Sequence, residues 1–174
     1  AKADAELKTQ GASAKALKDL AAQNAKTISK GHVLDAGSVL VTGKAIELKV
    51  RMGEALQLSI LPRASHGADT TVLEFSITQG EKTWSTSDLL DGLLDGNPNG
   101  SWCFLDMADD PKFLSQRHES LDGKSELQAW KGGDTPSVFV NTSNDPVKMW
   151  TTLPPRTFFV HPGPRGPVAL AWLS

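Results

Sequence analysis

Large, flat aromatic side chains are the residues of this sequence best suited to bind a ligand. The chain has five tryptophans and no tyrosine. An indole ring can pack against the apolar face of a pyranose while neighbouring carboxylates, amides or arginines bond the sugar hydroxyls. Trp84, Trp130 and Trp150 have polar residues close by, and the segment QAWKGGD places Gln128 and Asp134 beside Trp130. These five residues are the predicted glycan-binding residues, with Trp130 as the best candidate platform.

Any of these tryptophans could instead belong to a hydrophobic core. Trp102 in SWCFLDM and Trp172 in VALAWLS lie in apolar segments, so both are predicted to be core residues. For the other three tryptophans, the core and the platform interpretations stay open.

An acidic segment, LDMADD, could hold a metal ion. It carries Asp106, Asp109 and Asp110, and Ca²⁺ takes roughly six to eight oxygen ligands. The spacing is not that of an EF-hand, and a solvated acidic turn is the alternative. A structural Ca²⁺ is the one cofactor that the sequence suggests.

Catalytic motifs are missing from the sequence. There is no GxSxG, and the four histidines are not paired at metal-binding spacing. Glu74 and Asp106 could form a carboxylate pair for glycoside hydrolysis, although twenty acidic residues make any one pair a weak choice. Cys103 lies between two aromatic residues and is predicted to be a buried, inert thiol. We therefore expect a non-enzymatic protein, with a hydrolase as an alternative.

Two runs that alternate apolar and polar residues dominate the predicted fold. They are LQLSI and VLEFSI, on either side of a turn-rich centre within GEALQLSILPRASHGADTTVLEFSI. Alternation with a period of two indicates a strand with one buried face. Pro62, Gly67 and Asp69 favour a loop between the runs. The two runs are predicted to be the central pair of a β-sandwich.

Short strands with turn signals between them fill most of the remaining sequence. Further strands are predicted over residues 38–42, 45–52, 82–85, 101–107, 136–142, 147–152, 156–160 and 167–173. Short helices are predicted over residues 88–94 and 112–116. Such spacing favours an antiparallel sandwich over βαβ units. The predicted fold class is all-β, an antiparallel, jelly-roll-like β-sandwich with an N-terminal α-helix and short accessory helices.

The first 30 residues differ in composition from the rest of the chain. They are rich in alanine and lysine, which are strong helix formers. Residues 1–30 are predicted to be a helical segment and residues 31–174 a β-sandwich domain. The helix either lies across one edge of the sandwich or docks on a partner.

Charge and hydropathy exclude some partners. The net charge is -2 and no basic stripe occurs, so no nucleic acid partner is expected. No apolar run is long enough to span a bilayer, so no membrane span is expected. The first residues, AKADAELK, do not form a signal peptide, but a mature or excised fragment would look the same. A lone cysteine does not identify the compartment.

Five segments carry a resemblance to a known family: LDAGSVLVTG, LQLSILPRASHGADTTVLEFSI, KTWSTSDLLDGLLDGNPNG, SWCFLD and LPPRTFFVHPGPRGPVALAW. In this order they resemble the non-haem β-sandwich region of large exported planctomycete c-type cytochromes, over residues 31–174. The resemblance implies a periplasmic or extracellular location, a carbohydrate-binding-like sandwich, and haem-bearing neighbouring domains in a larger chain. The sequence has no CxxCH, so no covalent haem is expected in this chain itself.

Two functions are therefore predicted. The first is a noncatalytic accessory module of an exported multidomain cytochrome-like protein that binds a polysaccharide or other glycan. It requires at least one exposed tryptophan beside polar residues. The alternative is a structural or protein–protein docking module that positions neighbouring haem domains. It predicts five buried tryptophans and an exposed apolar docking patch.

Overall fold

The protein is built from short antiparallel strands. The computed structural model describes residues 47–62 and 66–174. Its strands are β1 (Ala55–Ile60), β2 (Thr71–Val72), β3 (Ser76–Gln79), β4 (Lys82–Ser85), β5 (Trp102–Asp106), β6 (Lys112–Phe113), β7 (Gln116–His118), β8 (Leu127–Lys131), β9 (Ser137–Asn141), β10 (Val147–Lys148), β11 (Thr152–Leu153), β12 (Thr157–His161) and β13 (Val168–Leu173). Two 3-10 helices cover His66–Ala68 and Thr86–Leu89.

Strand pairing confirms the predicted fold class at the level of an all-β, antiparallel protein. Within the described ranges, every pair of neighbouring strands is antiparallel. The predicted N-terminal helix over residues 1–30 and the predicted strand over residues 38–42 lie outside the described residues.

A four-stranded sheet has the strand order β1-β13-β5-β6. Its central strand β13 alternates large residues with alanines. Val168, Leu170 and Trp172 belong to the main core, while the alanines join a second apolar cluster around Cys103. All five residues of β5 are buried, so both faces of this strand are covered.

A five-stranded sheet has the strand order β2-β12-β9-β8-β7. Phe139 of β9 and Phe159 of β12 are opposite each other in register and stack at a centroid distance of 4.8 Å. The hairpin of β10 and β11 contributes Val147 and Leu153 to the same apolar cluster. Both faces of this sheet are therefore also buried near its centre.

The main core lies between these two sheets. The rings of Phe104 in β5 and Phe158 in β12 are 6.0 Å apart between centroids, so the sheets meet across this contact. Other buried members come from both sheets: Trp102, Trp130, Val138, Val140, Val160, Val168, Leu170 and Trp172. Burying one such side chain stabilises a fold by about 1.5–3 kcal/mol, so this core is the main source of stability.

The two predicted central strands are not partners, and that prediction was wrong. β1 pairs with β13, from Ala55 opposite Leu173 to Ile60 opposite Val168. The second predicted strand is divided between β2, which pairs with β12, and β3, which pairs with β4.

The physical reason for this division is a side-chain bridge. The hydroxyl of Thr86 donates to the carbonyl of Leu73 at 3.1 Å and accepts from the N–H of Phe75 at 3.1 Å. Thr86 thus satisfies backbone groups that a continuous ladder would have paired.

Short elements account for the other corrections. Residues 112–116 are β6, a two-residue connection and the first residue of β7 rather than a helical turn, and the five-residue strand β8 was not predicted. Residues 147–152 form parts of two strands of a hairpin, and residues 47–52, the described part of the predicted strand 45–52, are not a strand. The helix predicted over residues 88–94 is the shorter 3-10 helix Thr86–Leu89. Two- or three-residue strands are too short for a period of two to be recognised.

Candidate functional site

The five tryptophans differ widely in exposure. Trp150 is 58% exposed, Trp84 is partly buried, and Trp102, Trp130 and Trp172 are buried. The prediction that Trp102 and Trp172 are core residues is therefore confirmed. The expectation of five buried tryptophans, which accompanied the docking hypothesis, is wrong because of Trp150.

Trp130 must be corrected from candidate platform to core residue. It lies on β8, is only 6% exposed, and packs in the main core between the sheets. Its indole N–H donates to the carbonyl of Leu94 at 3.2 Å. The ring face is covered by protein, so it cannot receive a sugar. Asp134 is exposed in the loop after β8 and makes no hydrogen bond or ion pair with any described residue.

Gln128 also holds the loop that contains Leu94. Its Oε1 accepts from the backbone N–H of Leu93 at 2.9 Å and from the guanidinium of Arg117 at 2.8 Å. The loop passes so close that a Cβ on Gly92 would lie 3.2 Å from this oxygen. Gln128 and Trp130 thus position a loop instead of binding a ligand directly.

That loop forms one wall of a cleft beside Trp84, which we call the Trp84 cleft. It has a volume of about 180 Å³. Its lining residues are Trp84, Asp88, Leu89, Gly92, Leu94, Asn99, Gly100, Ser101 and Trp102. Two indoles, one carboxylate and one hydroxyl thus meet in one small concave site.

Trp84 is fixed at the cleft by strand pairing and by a second aromatic ring. It lies on β4 opposite Ile77, and its ring centroid is 5.0 Å from that of Trp172. Trp102, at the start of β5, is itself packed 5.9 Å from Phe75. Because both indoles pack against other rings, they already have a fixed orientation before a ligand binds.

Asp88 is the charged group of the cleft, and it has capacity left to bind a ligand. A capping box holds it: Ser85 Oγ accepts from the N–H of Ser87 at 3.1 Å, and Asp88 Oδ2 accepts from the N–H of Ser85 at 2.9 Å. A carboxylate accepts about four hydrogen bonds, so this exposed side chain can take more. From the sequence, Asp88 was only the first residue of the helix predicted over residues 88–94. The sequence signal that could have identified Asp88 as a binding residue is its position four residues after Trp84.

Asn99, by contrast, is fully used by the protein. Its Oδ1 accepts from the N–H of Leu94 at 3.2 Å, and its Nδ2 donates to the carbonyls of Leu94 and Gly96 at 2.9 Å each. Asn97 similarly bonds the backbones of Phe104 and Leu114. The asparagines of the GNPNG segment therefore build the cleft wall and are not free to recognise a ligand.

Two arginines anchor the opposite side of the same loop. Arg117 donates to the carbonyl of Leu93 at 2.8 Å and lies 3.8 Å from Asp95. Arg156 pairs with Asp91 at 2.6 Å. The wall of the Trp84 cleft is thus held by side chains of the five-stranded sheet and of the segment before β12.

Trp150 is in a different place, on the hairpin that covers the outer face of the five-stranded sheet. Its ring meets Phe139 edge-on at 5.8 Å. Lys148, two residues earlier, is exposed. Trp150 therefore has the exposed face that the sequence predicted, but it lines neither the Trp84 cleft nor the cleft described below.

The predicted calcium ligands do not converge. Asp106 is buried, pairs with Lys112 at 3.2 Å and accepts from the N–H of Ala108 at 3.0 Å. Asp109 and Asp110 are exposed, and Asp109 lies 3.9 Å from Arg165. Among the described residues no group of three or more His, Cys, Asp or Glu side chains could hold a metal ion. In place of the predicted calcium site, the structure has an ion pair between the buried Asp106 and the exposed Lys112, followed by an exposed turn.

The candidate carboxylate pair for glycoside hydrolysis is also not assembled. Asp106 ends β5, whereas Glu74 precedes Phe75, which packs against Trp102 at the opposite end of that strand.

Burial raises the pKa of Cys103 to about 12, which keeps this thiol protonated and unreactive.

Comparisons with protein-family models, with curated proteins and with solved structures find no match for this chain. The resemblance to a planctomycete cytochrome region therefore stays a prediction.

Within the described ranges, no helix is both long enough and apolar enough to cross a membrane.

Proposed function

We propose that this chain is a noncatalytic accessory module of an exported protein and that it binds carbohydrate in the Trp84 cleft. The observation that carries this proposal is the pairing of a partly exposed, ring-supported Trp84 with the exposed carboxylate of Asp88 in one concave site. An indole face and a charged acceptor are the two groups that sugar recognition needs.

The dimensions of the cleft favour a sugar unit. Pockets for drug-sized ligands are typically about 300–1,000 Å³, and this cleft is about 180 Å³. It can hold one ring, or one unit of a chain that continues outside it. We further propose that the two sheets pack face to face as a jelly-roll-like β-sandwich, and that the module works outside the cytoplasm beside haem-bearing domains, as the resemblance implies.

Affinity electrophoresis against soluble polysaccharides, followed by calorimetry on those that retard the protein, tests this function. Trp84→Ala should weaken binding by about tenfold or more, because the stacking surface is lost. Trp150→Ala is the matched control, since it removes an indole that does not line the cleft. If no polysaccharide retards the protein, or if Trp150→Ala abolishes binding while Trp84→Ala does not, the proposed site is wrong.

Docking on a neighbouring domain is a second candidate function, supported by a separate surface. Met52 is 96% exposed and Leu61 is 66% exposed. They lie on either side of β1 in the chain, and β1 is the first strand in the order of its four-stranded sheet. A strand at the edge of a sheet offers unpaired backbone groups to another chain. Co-purification of the chain with its adjacent domains tests this, with Met52→Ser and Leu61→Ser expected to release them.

A further inference from the structure

A second cleft lies on the other side of the 3-10 helix Thr86–Leu89, and we call it the Arg156 cleft. Its volume is about 190 Å³. Its lining residues are Leu73, Glu74, Ser85, Thr86, Ser87, Leu90, Arg156, Thr157 and Phe158.

The two clefts share this helix as a common wall. Asp88 and Leu89 face the Trp84 cleft, whereas Thr86, Ser87 and Leu90 face the Arg156 cleft. Ser87 and Asp88 are both exposed and adjacent in the chain, so they form the ridge between the clefts. Because the clefts lie on opposite sides of this helix, a ligand that occupies both must pass over the ridge and must be longer than one sugar ring.

The chemistry of the second cleft complements that of the first. No tryptophan lines it, but it offers the exposed carboxylate of Glu74 and the hydroxyl of Ser87. Neither side chain has a hydrogen-bond partner among the described residues, so both are available to sugar hydroxyls. Stacking would thus dominate in the Trp84 cleft and hydrogen bonding in the Arg156 cleft.

The charges around both clefts select against acidic ligands. Arg156 is already engaged, because one guanidinium nitrogen pairs with Asp91 at 2.6 Å and the other donates to the carbonyl of Thr142 at 3.0 Å. Glu74, Asp88 and Asp91 carry three negative charges against the positive charge of Arg156, and the Arg117–Asp95 pair at the same loop adds no net charge. A uronate or sulfate group would meet repulsion here, whereas a neutral hydroxyl would meet acceptors.

The backbone of Arg156 is consistent with a built site. Its φ of 47° lies in the left-handed region, which non-glycine residues rarely adopt. The N–H of Arg156 donates to the carbonyl of Ser143 at 3.0 Å, and this bond together with the two side-chain contacts holds the conformation. Such residues are concentrated at ligand-binding sites.

From these observations we infer that the two clefts are adjacent subsites of one groove, and that the occupant is a neutral glycan chain of at least two units. This inference rests on the proposed carbohydrate-binding function. It adds the class of glycan and its minimum length.

Calorimetric titration of the whole chain with a length series tests the inference. The probes are the mono-, di- and hexasaccharides of β-1,4-linked glucose, mannose and xylose, with oligogalacturonates as the acidic comparison. The disaccharide of the preferred series should bind about tenfold more tightly than its monosaccharide, because it gains charge-assisted hydrogen bonds in the second cleft. Oligogalacturonates should bind more weakly than any neutral hexasaccharide.

Glu74→Ala isolates the second subsite. This side chain is exposed and makes no contact that holds the fold, so the variant should remain folded. It should lose about tenfold in disaccharide affinity and leave monosaccharide affinity unchanged. Glu119→Ala, which removes an exposed glutamate outside both clefts, is the matched control and should bind like the unaltered chain.

The outcomes separate this inference from the function on which it rests. If the mono- and hexasaccharides bind equally well and both shift the indole N–H resonance of Trp84, the carbohydrate site stands and the second subsite is refuted. Tighter binding of oligogalacturonates than of neutral chains would refute the inferred preference for neutral glycans. If none of these sugars shifts the Trp84 resonance, the proposed function itself fails.

Discussion

Replacing Trp130 by alanine should destabilise the fold far more than replacing any exposed aromatic residue. The side chain is 6% exposed and packs between the two sheets, so almost all of its contacts are lost and a cavity remains. Substitutions of this kind cost about 3–5 kcal/mol. The hydrogen bond adds little to this cost, because the carbonyl of Leu94 also accepts from Asn99 at 2.9 Å and stays satisfied.

Two companion variants test whether the loss of stability comes from removing a buried ring. Trp130→Phe keeps one aromatic ring but loses the N–H donor and leaves a small cavity, so it should cost about 1–2 kcal/mol, mostly from the lost packing. Trp150→Ala removes a ring that is 58% exposed and makes one edge-on contact with Phe139, so it should cost about 0.5–1.5 kcal/mol.

Urea unfolding followed by far-ultraviolet circular dichroism is the appropriate assay, since tryptophan fluorescence changes with the substitutions themselves. A domain of this size has a free energy of unfolding of about 5–15 kcal/mol, so a loss of the expected size is measurable. If Trp130→Ala costs no more than Trp150→Ala, the placement of Trp130 between the sheets is wrong. In that case the platform interpretation of its sequence context would stand again.

Three other perturbations have defined outcomes. Gly166→Ala should destabilise the fold by about 1–3 kcal/mol, because a Cβ would lie 2.6 Å from the Cα of Ala108, and an unchanged urea midpoint would contradict this close approach. Cys103 should resist iodoacetamide at mildly alkaline pH in the native state and react only after unfolding, because burial raises its pKa to about 12; intact-mass measurement of native labelling checks this, and rapid native labelling would show the thiol to be accessible. Burial, and to a smaller extent His66, lower the pKa of His161 below 6.5, so the unfolded chain takes up this proton first as the pH falls. The contribution of His161 to stability should be fully present above pH 6.5 and decline as the pH falls toward the folded-state pKa, and urea melts of His161→Gln should show a shallower decline than those of the unaltered chain.

Local patterns in the sequence determined the class of the fold and several of its strands. The largely apolar segment SWCFLDM contains the buried strand β5, and Trp102 and Trp172 are core residues as predicted. These predictions succeeded because alternation and apolar composition depend only on residues near in the sequence. The predicted N-terminal helix, the location outside the cytoplasm and the neighbouring haem domains stay predictions.

The tertiary structure alone decided which strands are partners and which tryptophans are exposed. β1 pairs with β13, which is more than a hundred residues away in the chain, and no local pattern specifies that choice. The polar neighbours of Trp130 pointed to solvent, yet β8 lies between two other strands and its tryptophan faces the core. The Trp84 cleft likewise brings the start of β5 beside β4 and the 3-10 helix, and its two indoles are held by Trp172 and Phe75 from other strands and segments. A side chain's exposure depends on what the rest of the chain places over it, and that information is not local.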